Sequence, residues 1–313
     1  MPDEIDLDAL LKELNSATKT EMDSNPPVEE WTDNFDVATL PIEARKWIKV
    51  PDVVAVVSDL KNSTQLGTGK HAASTAAIYQ AATGGVVSIY NKFDADFIAI
   101  QGDGAFALFW GSRRYEQAVC AGITVKTFSE RHLIPQLEKK WADPDHPTGF
   151  KVGVASGRVL VKRVGTPRNT SEQEPVWAGK PVNYAAKAAQ QADRHQLIIT
   201  GSIWDKIENN DYLTISCGCS GDVFVGSSSP LWDDVIIEKV PPEDSERYGR
   251  LLTATWCVNH GAEFCAAILD KQTKRGNVEK VHTEVVKSQT QDPLRLKAAR
   301  DRSERRRLRS LRR

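Results

Sequence analysis

Two carboxylates that follow apolar strands are the groups in this sequence best placed to do chemistry. Val53-Val54-Ala55-Val56-Val57 is five apolar residues, four of them β-branched, and reads as a strand buried on both faces that stops at Ser58-Asp59. Asp59 therefore sits at a strand's carboxyl end. Leu60-Lys61-Asn62-Ser63-Thr64 follows, and its small donors open a helix, an arrangement that suits a divalent cation and the phosphates it neutralises. The stretch from Phe97 to Phe109 reads as strand, Gly102-Asp103-Gly104 turn, strand, which puts a second carboxylate at a hairpin tip. Two strand-borne carboxylates are the minimum for two-metal phosphoryl transfer. Taken singly, each is equally consistent with an ordinary cap or turn residue.

A third stretch adds complementary groups. Val182 to Gln190 is Ala-rich and helical by propensity, and the spacing of four puts Asn183 and Lys187 on one helix face. An amide and an ammonium could thus reach one substrate.

These three stretches together resemble the class III nucleotidyl cyclases over roughly residues 51–207. In that family a metal-binding Asp ends the first strand, a second sits in a Gly-Asp hairpin, and a later helix carries a transition-state Asn and Arg. The resemblance implies Asp59, Asp103 and the Leu60 carbonyl as ligands of two Mg²⁺ or Mn²⁺ ions, and Asn62, Ser63 and Thr64 as the phosphate cradle. It implies Asn183 and Lys187 as catalytic groups lent by a partner subunit, hence a head-to-tail homodimer. Lys187 stands where the family usually has Arg, which keeps the charge but loses the planar fork. The Gly-rich run Lys151 to Gly157 resembles the strand before the Asn helix. Lys239 is the nearest match to a late triphosphate-binding Lys.

Base selection is the main departure. The positions that read a purine in this family fall on Ala99 and Val176, and neither side chain can hydrogen-bond a base edge. Trp177 could fill volume that a purine would occupy, or serve as a core residue. Asp59-Leu60-Lys61-Asn62-Ser63-Thr64 is similar to the first motif of the pyrimidine cyclases of Pycsar antiphage systems. The resemblance implies conversion of UTP to 3′,5′-cyclic UMP and pyrophosphate, ahead of CTP to cyclic CMP, with a separate effector that the product activates. A purine cyclase, and an inactive nucleotide-binding scaffold, are the alternatives.

The elements that must hold these groups follow from periodicity. Their β/α alternation agrees with the fold the resemblance implies, which is α+β, a ferredoxin-like βαββαβ catalytic domain over residues 51–265 with extra C-terminal strands, preceded by an acidic arm (1–50) and followed by a basic helical tail (266–313). Expected helices cover residues 5–14, 41–47, 70–91 with a break near Gly84-Gly85, and 117–141 with a break at Pro135. A strand over 150–155 is expected to turn back into a hairpin mate over 158–164, before a polar loop at 166–174. Strands are also expected at 196–200, 212–215, 223–225, 235–240 and 251–258.

The formal net charge of -1 conceals asymmetry: nine acidic residues lie between Met1 and Glu30, and ten Lys or Arg lie between Leu294 and Arg313. No aromatic residue interleaves the basic run, which argues against a single-strand nucleic-acid platform. No stretch approaches the roughly 20 apolar residues of a membrane span, and the acidic start is unlike a signal peptide, which points to the cytoplasm. Cys120, Cys217, Cys219, Cys257 and Cys265 are expected to be free thiols, because Cys217-Gly218-Cys219 has the wrong spacing for a zinc knuckle.

Overall fold

Which side of one strand each residue faces decides the architecture. The computed structural model describes residues 5–311 except 33–34, 41, 43–44, 69, 142–146, 167, 221–222, 225–226, 277, 279 and 285–291. Two compact units emerge, Met1–Pro51 with Val159–Ala178, and Asp52–Arg158 with Gly179–Arg313.

In the smaller unit, helix α1 (Leu7–Asp23) is longer than its apolar stripe suggested; Asp6 caps its first turn and it ends at Ser24, before Asn25-Pro26-Pro27. None of its residues is buried. Strand β1 (Val28–Glu30) pairs in parallel with the start of β2 (Trp47–Lys61). The helix expected over 41–47 falls partly outside the described residues, and Trp47 already belongs to β2.

The chain continues with α2 (Ser63–Leu66), α3 (Ala72–Lys92), β3 (Phe97–Gln101), β4 (Gly104–Phe109), α4 (Arg114–Phe128), α5 (Ile134–Lys140) and β5 (Gly149–Gly165). After β6 (Gln173–Gly179) come α6 (Lys180–Gln191), β7 (Gln196–Ile199), α7 (Gly201–Ile207) and α8 (Asp211–Thr214). The chain then forms β8 (Cys219–Ser220), β9 (Val223–Phe224), β10 (Trp232–Ile236), β11 (Tyr248–Leu252), α9 (Gly261–Leu269) and a C-terminal helix (Pro293–Ser310).

The central strand order β5-β2-β4-β3 is the ferredoxin-like order, with β2 and β3 each antiparallel to β4. The extra strands extend one side: β7 joins β5 in parallel through α6, and β11 and β10 follow antiparallel.

Val54, Val56 and Leu60 share a core with Ala105, Ala107 and Phe109 and with Ile78, Val86, Tyr90, Val119 and Ile123 of α3 and α4. Ser58 points the same way, its hydroxyl 2.6 Å from that of Tyr90, whose phenol burial pushes well above its ordinary pKa. Strand alternation therefore turns Asp59 to the opposite face. On β5 the same logic separates two helices. Val152 and Val154 meet Gly122 of α4, whereas a Cβ on Gly153 would lie 2.0 Å from the Ala185 carbonyl oxygen of α6. Thus α4 covers one face and α6 the other, the face Asp59 occupies.

Several local expectations change. α3 is continuous through Gly84-Gly85, and a Cβ at Gly85 would lie 2.5 Å from the Phe128 ring, so Gly85 serves helix contact rather than a break. Pro135 starts α5 after a π-helical turn at Ser129–Leu133, where its missing N–H costs nothing. The hairpin expected at 156–158 is absent, and β5 runs as one strand to Gly165. Residues 211–214 are helical rather than extended: the Asn210 side chain accepts from the Tyr212 and Leu213 amides and nucleates a turn. The last two strands lie at 232–236 and 248–252, a few residues before their expected positions. α9 crosses the expected boundary at 265 and buries Ile268 in the core.

The basic tail folds back on its own unit. Arg302 is only 6% exposed, donates to both Asp205 carboxylate oxygens at 2.8 Å and to the Ser245 carbonyl, and lies over Gly201 at the start of α7. Burial opposes this charge, but Asp205 and the nearby Glu246 and Glu208 outweigh it and hold the guanidinium above its ordinary pKa. Removing Arg302 leaves buried Asp205 with Arg306 alone, 2.8 Å from its Oδ2, and takes the guanidinium donor from the Ser245 carbonyl. Arg302→Met should lower the stability of unfolding by about 3 kcal/mol, read from urea melts, whereas Arg309→Met on the exposed part of the same helix should change it little.

Candidate functional site

Strand pairing brings the two segments that carry Asp59 and Asp103 side by side. The β2–β4 register sets Ser58 opposite Ala105, so Asp59 and Leu60 face the Gly104 and Asp103 end of the hairpin. The approach is close enough to require glycine: a Cβ on Gly104 would fall 2.4 Å from the Ser58 carbonyl oxygen and 3.4 Å from the Asp59 Cα. Gly102, at φ +62°, supplies the left-handed residue that closes the turn.

Asp59 is not alone there. Its Oδ2 lies 2.6 Å from the Lys151 Nζ, and the carboxylate keeps 40% of its side-chain exposure while the Lys151 side chain keeps 16%. The strand alternation that sends Gly153 to α6 sends Lys151 to the same face. A cationic residue two positions before a helix-contacting glycine, in the apolar run over residues 150–155, was the available sequence signal for Lys151; its role was missed.

The segment after Asp59 is held as a tight bend. Asn62 adopts a left-handed conformation (φ 57°) and donates from its amide to the Pro147 carbonyl at 3.0 Å. The Thr148 hydroxyl donates to the Lys61 carbonyl at 2.6 Å. Ser63, half-buried, and Thr64, exposed, open α2, and the Leu60 side chain anchors the bend in the core. Lys61 turns to Asp193, just past the end of α6, and that bond lowers the Asp193 pKa. On β3, Ala99 sits directly opposite Phe106 and shares the Asp59 face, with the Phe97 and Phe106 rings 5.9 Å apart beside it.

α6 is fixed by Ala185 and Ala189 against Gly153, and by the Tyr184 hydroxyl, which donates to Asp244 at 2.8 Å. Asn183 lies two residues from Ala185, about 200° around the helix, and is exposed; Lys187 follows one turn on, its Nζ 5.3 Å from the centre of the Tyr184 ring. Both therefore point away from their own sheet. The end of α6 that meets the Asp59 segment is the Asp193 end, roughly 12 Å along the axis from Asn183 at 1.5 Å per residue. One chain thus sets the Asp59 strand end, the Asp103 hairpin and the Asn62–Thr64 bend next to one another in sequence and register, with Ala99 on the Asp59 face, and leaves Asn183 and Lys187 on the side of α6 opposite Ala185.

Lys239 bonds Gln190 near the far end of α6, away from Asn183. Val176, exposed, and Trp177, half-buried, belong to β6 in the smaller unit. A 430 Å³ cavity lined by Glu130, Glu138, Arg194 and His195 contains none of the expected site residues. The carboxylates and the Leu60 carbonyl are hard oxygen donors, a set that fits Mg²⁺ or Mn²⁺ rather than a thiophilic ion.

The chain is 55% identical over 302 residues to a uridylate cyclase of Micromonospora echinofusca, covering 96% of this chain and 97% of that protein. It is 47% identical over 308 residues to a uridylate cyclase of Propioniciclava tarda, covering 98% of each. The chain belongs to the uridylate cyclase family. No general protein-family model matches it. Among solved structures, the adenylyl cyclase CyaB from P. aeruginosa is similar at a TM-score of 0.47 and 18% identity, over 58% of this chain and 91% of that one. The two uridylate cyclase relatives bear out the family expected from the Asp59, Asp103 and Asn183 stretches. No helix among the described residues is long and apolar enough to cross a membrane.

Proposed function

We propose that this chain is a uridylate cyclase that converts UTP to 3′,5′-cyclic UMP and pyrophosphate. The 3′-oxygen attacks the α-phosphorus, and the bond to the β-phosphate breaks with its electrons leaving on pyrophosphate. The observation that supports this reading is the meeting of Asp59 and Asp103 at adjacent strand ends, in a chain whose relatives of similar length are uridylate cyclases. Asp59, Asp103 and the Leu60 carbonyl would hold two Mg²⁺ or Mn²⁺ ions, which when bound acidify the 3′-hydroxyl and neutralise the triphosphate. Asn62, Ser63 and Thr64 bind phosphate oxygens with backbone and hydroxyl donors. Lys151 fixes the Asp59 rotamer and adds positive charge beside the phosphates.

Asn183 orients the ribose and Lys187 stabilises charge on the α-phosphate, both reaching the site from a second copy in a head-to-tail homodimer. Ala99 offers no hydrogen-bond partner to a base, and neither does the Val176 side chain, so neither position selects a purine edge. The enzyme works in the cytoplasm, within an antiphage system whose separate effector binds the cyclic nucleotide.

Incubation with each of the four ribonucleoside triphosphates and Mn²⁺, with products identified by mass, tests the reading. Cyclic UMP should exceed every other cyclic product at least about tenfold, a preference of roughly 1.4 kcal/mol. A dominant cyclic CMP or purine product would replace UTP as substrate. UTP binding without pyrophosphate release would make the chain a scaffold.

A further inference from the structure

Outside the nucleotide site, the fold collects four metal-ligating side chains that sequence spacing had set aside. Cys217, Cys219, Cys257 and His260 place one ligand atom each within 4.8 Å of all the others. Each is half-buried, and all five cysteines of the chain are free of disulfides. We propose that these four residues bind one structural Zn²⁺ ion in a closed Cys₃His site.

The distances support a tetrahedron. The His260 Nδ1 lies 3.5 Å from the Cys219 Sγ and 3.7 Å from the Cys257 Sγ. Zn–S bonds of about 2.3 Å and Zn–N bonds of about 2.0–2.1 Å at the tetrahedral angle separate sulfur from nitrogen by about 3.6 Å. The donor set of three thiols and an imidazole selects Zn²⁺ over the oxygen-seeking Mg²⁺ and Mn²⁺ of the catalytic carboxylates.

The backbone around each half is shaped for chelation. Gly218, at φ +81°, lets the chain turn between Cys217 and Cys219 so that both sulfurs face one point, although only a single residue separates them. Cys257 and His260 flank a turn that leads into α9, closed by the Gly261 amide donating to the Cys257 carbonyl at 2.8 Å. Arg275 holds the first half from behind: its guanidinium donates to the Ile215 and Ser216 carbonyls and lies 4.5 Å from the centre of the Phe264 ring of α9. It also interacts electrostatically with Cys217. Three thiolates around Zn²⁺ carry one net negative charge, and Arg275 supplies the compensating positive one.

The site has structural work to do. Among the described residues β8 and β9 pair only with each other, through Cys219↔Phe224 and Ser220↔Val223, and so short a two-stranded ribbon is marginal by itself. An ion shared between Cys217, Cys219 and the start of α9 ties that ribbon to the core. The sequence spacing misled because ligands of one ion need only be neighbours in space, and residues 220–256 intervene between the halves.

The test uses the full-length chain, purified without a metal-binding tag and without added zinc. Elemental analysis should find about one zinc per chain, and X-ray absorption at the zinc edge should show three sulfur neighbours at about 2.3 Å and one nitrogen at about 2.0–2.1 Å. Cys217→Ser with Cys219→Ser should lose the zinc, whereas Cys265→Ser, outside the cluster, should keep it. If the double variant does not fold, the wild-type absorption spectrum decides alone. Less than about a tenth of an equivalent of zinc, a zinc with only oxygen and nitrogen neighbours, or full zinc content in the double variant would each overturn the assignment.

Discussion

Asp59→Asn and Asp103→Asn should each lower kcat for cyclic UMP formation by at least about 10³-fold while leaving the melting temperature within a few degrees of wild type. The size follows from what is lost. Each amide removes a negative charge from a site that must hold dications against a polyanionic substrate, and loss of a single well-placed transition-state contact already costs about 10²–10³. The fold should tolerate both changes, because neither side chain carries the core: Asp59 is half-exposed and Asp103 sits at a hairpin tip. Removing Asp59 also frees Lys151, so Lys151→Met in the wild-type background serves as the control. It should weaken turnover far less than either Asp variant, since Lys151 touches Asp59 and is not itself a cation ligand. Full activity in either Asp variant would remove the carboxylate pair from the mechanism.

Mixing two inactive proteins should restore activity. The outward faces of Asn183 and Lys187 mean that Asp59→Asn damages one half of each composite site and Asn183→Ala the other. After subunit exchange, half of the dimers are mixed, and each contains one site with both halves intact and one with neither. The mixture should therefore recover about a quarter of wild-type turnover, a gain of two orders of magnitude or more over either variant alone. The same experiment with Asp59→Asn and Asp103→Asn should recover nothing, because both residues belong to one half. Recovery that fails despite demonstrated exchange would place the amide and the carboxylates in the same chain.

The contrast between what the sequence announced and what it hid has a physical basis. Asp59, Asp103 and the ferredoxin-like order were legible because local patterns set them: an abrupt end to a β-branched run, a Gly-Asp-Gly tip, and strands that alternate with helices. Asn183 and Lys187 were legible as a helical pair, and their outward direction was fixed only by Gly153, whose missing side chain seats α6 on the sheet. Features that depend on partners distant in sequence were not legible. Lys151 acquires its role from a carboxylate on the neighbouring strand, Arg302 from Asp205 on α7, and the cysteines from a turn on the far side of β10 and β11. Gly84-Gly85 misled for the same reason. A glycine that would break an isolated helix is, at Gly85, the place where Phe128 of α4 approaches α3.

The account depends most on Asp59 and Asp103 gathering cations over the substrate's triphosphate. Electron paramagnetic resonance of Mn²⁺ titrated into the protein with a UTP analogue lacking the 3′-hydroxyl measures this directly. Wild type should bind two Mn²⁺ per site with the nucleotide present, and Asp59→Asn and Asp103→Asn should each lose at least one with affinity falling about tenfold or more. Unchanged Mn²⁺ number and affinity in both variants would contradict the account.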